Sequence, residues 1–321
     1  MRRLFIQFTT ALTIVIAPVV AFASPLVSPA WLSENLDDAK LVVIDLRNKI
    51  DEGGYETFLE GHIPGAIHSD YLKDGWRVGR DGVVGLLPEA DQFQLLARRL
   101  GVSDDTHVVV VPAGVSSTDF GSAARAYWTF KVFGHNNVSI LDGGFAAWRD
   151  YAPGNIETGT FVAPELGNFV AGFNPEIFIG TPDVAAFATN PGQALLVDGR
   201  PEQQFYAGGK HPKAAKVGRI PSAVLMDQDK AYSPRGNRLK NRDELASIYS
   251  DLGDKTIVSY CNTGHWAATN WFVMSEILGQ KNVKLYDGSM VEWTANSDLP
   301  LDTSGKSNMQ KIKDMFSGLL G

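Results

Sequence analysis

Cysteine is nearly absent from this chain: of 321 residues, only Cys261 carries a thiol. No internal disulfide can form, so the fold must stand on its own core. One cysteine and six scattered histidines offer no metal-ligand spacing, and no metal site is expected. An excess of positive charge is missing too. The 29 Lys and Arg face 36 Asp and Glu, for a formal net charge of −7, which excludes the electrostatic footprint of a nucleic-acid binder. Beyond Val20 no apolar run is long enough to span a bilayer. Gly143-Gly144 lacks the remainder of a dinucleotide fingerprint, so no cofactor is expected.

What is present is ordinary globular composition, 44% hydrophobic and 20% charged, at a length that suits two domains. Arg2-Arg3, the apolar run Leu4 to Val20 and the small residues of Ala21-Phe22-Ala23 have the order of a cleavable signal peptide over 1–23. The expected protein is exported, to the periplasm, and free of membrane after cleavage. The paired arginines leave both general and twin-arginine export open.

Four blocks then recur in the same order. Leu41–Arg47 is answered by Ala194–Arg200, and Gly61–Ala66 by Gly218–Ala223. His107–Val111 is answered by Thr256–Tyr260, and Leu141–Trp148 by Tyr286–Trp293. The chain is therefore a diverged tandem repeat. Within each copy, short β-branched runs such as Leu41–Ile44, Val108–Val111, Leu195–Val197 and Ile257–Tyr260 suit strands covered on both faces. Helical patterns lie between them, at Asp91–Leu100 and at Ala267–Leu278, the latter closed by Gly279. The expected class is α/β, with two domains that are each a mainly parallel sheet flanked by helices. The expected boundaries are 24–150, a Gly- and Pro-rich linker at 151–175, 176–300, and a polar tail at 301–321.

Open α/β sheets place ligands beyond the carboxyl ends of their strands. Cys261 is the first residue after the strand Ile257–Tyr260, and a helix opens near Ala267. The intervening loop is Asn262-Thr263-Gly264-His265-Trp266. A helix N-terminus beside a thiol favours the thiolate, and a tight loop around it can turn its N–H groups inward as an anion nest. Cys261 is thus the expected nucleophile. The first copy has Pro112-Ala113-Gly114-Val115-Ser116 at the same place and is expected to be catalytically inactive.

The chain resembles the rhodanese family, in the form of the tandem-domain sulfurtransferases acting on thiosulfate or 3-mercaptopyruvate. The likeness rests on Leu26–Leu32, the two Asp-x-Arg blocks, Gly61–Ala66 and Asp287-Gly288-Ser289 with Glu292-Trp293. It implies a ping-pong reaction in which Cys261 takes a sulfane sulfur as a persulfide and passes it on. The partners implied are a small anionic donor and a thiol or cyanide-like acceptor, with a protein sulfur acceptor as a further candidate. An exported sulfur carrier using the same thiol is the rival reading.

The loop departs from both known donor patterns. Its only candidate cation is His265, and Trp266 is either a pocket wall or a packing residue. Arg200 either binds the donor or pairs with Asp198, as Arg47 would pair with Asp45. Gln204 stands where relatives place a second arginine, and Lys210–Lys216 is a basic segment that either substitutes or lies solvated. By resemblance to mercaptopyruvate users, Thr263 supplies a hydroxyl that His62 and Asp51 would complete as a proton relay. Ala267 stands where a rhodanese-like phosphatase would carry its arginine, which argues against phosphate.

Overall fold

The computed structural model describes residues 23–306, apart from 234–236 and 254. Residues 1–22, and the tail beyond 306, lie outside the described residues; so do the signal peptide, except its last residue, and most of the tail. The first domain runs β1 (Leu26–Val27), α1 (Pro29–Asn35), β2 (Leu41–Asp45), α2 (Tyr55–Glu60), β3 (Ile67–His68), β4 (Val78–Arg80) and β5 (Val83–Leu86). It continues with α3 (Ala90–Arg99), β6 (His107–Val111), α4 (Ser117–Val132), β7 (Val138–Leu141) and α5 (Gly144–Tyr151). Its five-stranded sheet has the order β1-β7-β6-β2-β3, and every pairing is parallel. The central strands are covered on both faces, which is why their sequences are unbroken apolar runs.

The second domain repeats the plan with α6 (Thr181–Thr189), β8 (Ala194–Asp198), α7 (Glu202–Phe205), β9 (Val224–Leu225), β10 (Tyr232–Ser233) and β11 (Arg238–Leu239). There follow α8 (Arg242–Ile248), β12 (Thr256–Tyr260), α9 (His265–Phe272), β13 (Val283–Leu285) and α10 (Ser289–Ala295). Its sheet is parallel in the order β13-β12-β8-β9. The helical pattern ending at Gly279 divides in two. Regular α9 stops at Phe272, and Val273–Ile277 continues as a π-helical turn.

The segment 152–174 contains no helix or strand and lies along the first domain. Gly159, Gly167, Phe169, Gly172 and Asn174 donate backbone hydrogen bonds to Leu59, Arg98, Val102, Phe133 and Val132. It is a pinned strap.

Helix α4 is buried almost all round, because it is packed between its own sheet and α9 of the other domain. Tyr127 meets Phe272 edge-on at 4.9 Å, and its hydroxyl donates to Glu276 at 2.6 Å. Around this helix pair the domains exchange hairpins. The β4–β5 hairpin of the first domain lies on the Cys261 loop, with Leu87 N–H donating to Asp287. The β10–β11 hairpin of the second domain lies on the turn after β7 of the first, where Arg238 approaches Asp142 at 3.9 Å and packs against Gly143.

Candidate active site

Cys261 is the first residue beyond β12 and is almost fully buried. The loop turns sharply at Gly264, whose φ of +70° lies in the left-handed region that glycine enters without strain. A side chain there would strike the guanidinium of Arg125 and the Asp287 backbone. The loop is tied from within by Ser289, the first residue of α10. Its Oγ accepts the N–H groups of Cys261 at 3.0 Å and Gly264 at 3.1 Å, and donates to the Tyr286 carbonyl at 2.8 Å. Two of the N–H groups expected to form an anion nest are therefore committed to a hydroxyl. Ser289 holds a positive φ of 49°, a strained setting that these three bonds offset.

His265 is not a cation. Burial, with the Arg77 guanidinium as the next cause, lowers it to about 3. A charged imidazole there would also oppose the positive N-terminal end of α9. Its ring bridges the domains. Nε2 lies 2.7 Å from the Thr118 carbonyl, and Nδ1 lies 3.0 Å from the hydroxyl of Tyr71. The carbonyl can only accept, so the neutral ring carries its proton on Nε2, and the Tyr71 hydroxyl donates to Nδ1. Gly121 leaves room for this ring. Trp266 is a pocket wall that is also anchored, its Nε1–H donating to Thr118 Oγ1 at 3.2 Å.

The remaining predicted residues separate. Asn262 donates to Gln204 at 2.9 Å, so the two departures from the family pattern hold each other. Thr263 packs against Gly85 of β5. Arg200 does not line the pocket. Its Nε and Nη2 bond both Asp198 carboxylate oxygens, and Nη2 also reaches the Gly218 carbonyl. Arg47 repeats the arrangement with Asp45 and the Gly61 carbonyl, so the pair fastens the strand end in both copies. The proton relay is not assembled, because neither His62 nor Asp51 lines the pocket. His62 is fully buried in its own domain, stacked on Phe58 at 3.8 Å and bonded to the Phe58 carbonyl. Asp51 accepts the N–H groups of Asn48 and Gly53 and lines the separate cleft of the first copy. Burial raises it to about 7.

A cavity of about 160 Å³ lies over Cys261. The first domain contributes Ile50, Arg77 and Thr118 to it; the second contributes His211 and the loop. Behind the loop, Arg125 of α4 is fully buried. It bonds the Gly85 carbonyl at 3.1 Å and Asp287 at 3.5 Å, while its Nε and Nη1 find no partner. Arg77, Arg125, Tyr71, Thr118 and Ser289 were not indicated by the sequence pattern. Only Ser289 left a signal, as the hydroxyl residue standing where the first copy has Gly144.

The first copy's loop holds a carboxylate of its own. Asp119 Oδ1 and Oδ2 accept the N–H groups of Ala113 at 3.0 Å, Gly114 at 2.6 Å and Val115 at 3.1 Å. Its anion nest is filled from within.

Among the described residues, no group of three or more His, Cys, Asp and Glu could hold a metal. The site is a loop-borne thiol at a parallel-sheet end, closed over by a companion domain. The rhodanese-like domain model matches residues 28–151 and again 181–296. The 3-mercaptopyruvate sulfurtransferase of Escherichia coli K12 is 36% identical over 283 residues, covering 85% of this chain and 95% of that protein. The thiosulfate sulfurtransferase of Corynebacterium glutamicum is 33% identical over 293 residues, covering 87% and 90%. The crystal structure of SseA from Escherichia coli, a 3-mercaptopyruvate sulfotransferase of rhodanese fold, superposes with a TM-score of 0.68 at 31% identity. It covers 85% of this chain and all of that one. The chain belongs to the rhodanese family, in its two-domain form, and is a sulfurtransferase.

Proposed function

We propose that the protein moves a sulfane sulfur from thiosulfate, 3-mercaptopyruvate or a related small anion to a thiophilic acceptor through a Cys261 persulfide. The observation that carries this reading is the placement of Cys261, a single thiol at the strand end inside a small interdomain cavity that contains no carboxylate. The thiolate attacks the donor's transferable sulfur and forms one S–S bond. The donor's bond to that sulfur breaks with its electron pair staying on the remainder. Thiosulfate leaves as sulfite; 3-mercaptopyruvate leaves as the enolate of pyruvate, which takes up a proton. A thiolate or cyanide then removes the outer sulfur and returns Cys261 as thiolate. Burial of the site keeps water from the intermediate, and Arg125 places a fixed positive charge behind the loop where negative sulfur accumulates.

The test is thiocyanate formation from each donor with cyanide, alongside the intact mass of the protein. One added sulfur after donor alone, and turnover abolished in Cys261→Ser, are the expected results. A sulfur adduct without repeated turnover marks a carrier instead. If turnover survives in Cys261→Ser, the mechanism is wrong. We also propose that residues 1–23 direct export, which N-terminal sequencing of the protein recovered from a periplasmic fraction checks; an intact Met1 overturns it.

A further inference from the structure

Arg77 immediately precedes β4 at the base of the hairpin that reaches over the Cys261 loop. Its guanidinium makes no hydrogen bond or ion pair with any described residue, and its Nε is fully buried without a partner. It lies over the face of Tyr71, at 4.6 Å from the ring centre. A guanidinium has five donors in a planar fork, and leaving them unmet is unfavourable unless something else satisfies them. Across the cavity stands His211, from the basic segment Lys210–Lys216 of the other domain. Its Nδ1 accepts the Lys213 N–H, so in the neutral ring Nε2 carries the proton and is a donor. Burial, with Arg77 as the next cause, holds His211 below its usual range. The cavity over the nucleophile therefore presents donors from both domains and no acidic group.

We propose that Arg77 and His211 form an interdomain oxyanion subsite that holds the carboxylate or sulfonate end of the donor and turns its sulfur toward Cys261. This rests on the sulfur-transfer reading for the donor's identity, but not for the binding of an anion. The cavity of about 160 Å³ admits only a small molecule, roughly the liquid volume of five waters. The shared chemistry is a compact oxyanion, and separate measurements with thiosulfate and 3-mercaptopyruvate show which is preferred.

The experiment compares alkylation of Cys261 in the full protein by iodoacetate, an anion, and by iodoacetamide, its neutral analogue. Arg77→Met keeps the stem against Tyr71 and removes the charge. It should lower the iodoacetate-to-iodoacetamide rate ratio about tenfold and raise donor KM by a similar factor, with a smaller effect on kcat. Arg77→Lys should recover most of the ratio, and His211→Leu should lower it a few-fold. If the ratio in Arg77→Met equals that of the native protein, or if both reagents slow equally, the subsite is refuted and Arg77 merely braces Tyr71. A ratio that falls while no donor sustains turnover in the native protein upholds the subsite and removes the sulfur-transfer reading.

Discussion

Two side chains around Cys261 act through hydrogen bonds alone. Ser289 satisfies two N–H groups that no water can reach, so Ser289→Ala leaves both unmet at a cost of about 2 kcal/mol or more. Urea denaturation measures that loss. Ser289→Gly relieves the positive φ yet strands the same amides, so it should lose stability as well. His265 sets a pH dependence. The unfolded imidazole titrates near the ordinary histidine value of 6.5, whereas the native one stays neutral down to about 3. As pH falls through that window the unfolded chain gains a proton that the native protein refuses, so stability drops, by on the order of 5 kcal/mol in full. Asp51 and Asp119, raised to about 7 and about 6, work oppositely. Their native forms keep protons that the unfolded chain has lost, so their contribution is present at low pH and fades as pH rises through those values. The diagnostic is therefore the difference between native and His265→Asn denaturation curves across pH 3–6.5; equal slopes would show that His265 titrates normally.

At the scale of elements, the β4–β5 hairpin shapes the loop it covers. Gly85 has a φ of +87°, and a Cβ there would stand 2.8 Å from Thr263 Cβ. Gly85→Val should displace the Cys261 loop and lower kcat on the order of 100-fold, with the circular dichroism spectrum unchanged; full activity would mean that the hairpin is only a lid. Much of this was readable in advance. The parallel strands were legible because burial on both faces leaves β-branched runs, and the Cys261 loop because strand, loop and helix are contiguous in the chain. Arg77, Tyr71 and Arg125 were not legible, since contacts made between the domains, such as Tyr71 with His265 and Arg125 with Asp287, leave no periodicity in the chain. His62 was misplaced for the converse reason. Its Gly-His-Ile-Pro-Gly block is local structure, sealed by Phe58 four residues earlier, and says nothing about the other domain's loop.

At the scale of the molecule, the two copies of the repeat carry one thiol between them, and the first copy departs from the second in two ways. It lacks the thiol, and Asp119 occupies its nest. Pro112→Cys in a Cys261→Ser background should therefore show no thiocyanate formation; measurable turnover would show that the internal carboxylate is no obstacle. The exchanged hairpins carry a further consequence. Leu87, at the end of the first half's hairpin, donates to Asp287 of the second, and Arg238 of the second half's hairpin reaches Asp142 of the first, and the two aspartates hold the same place in the repeat. Reciprocal contacts of this kind are the signature of a two-fold axis. The two halves therefore meet much as the subunits of a symmetric homodimer do, each laying a hairpin beside the matched aspartate of the other. The half without a thiol thus supplies part of the other half's site, so removing it would open the Cys261 pocket as well as the domain interface.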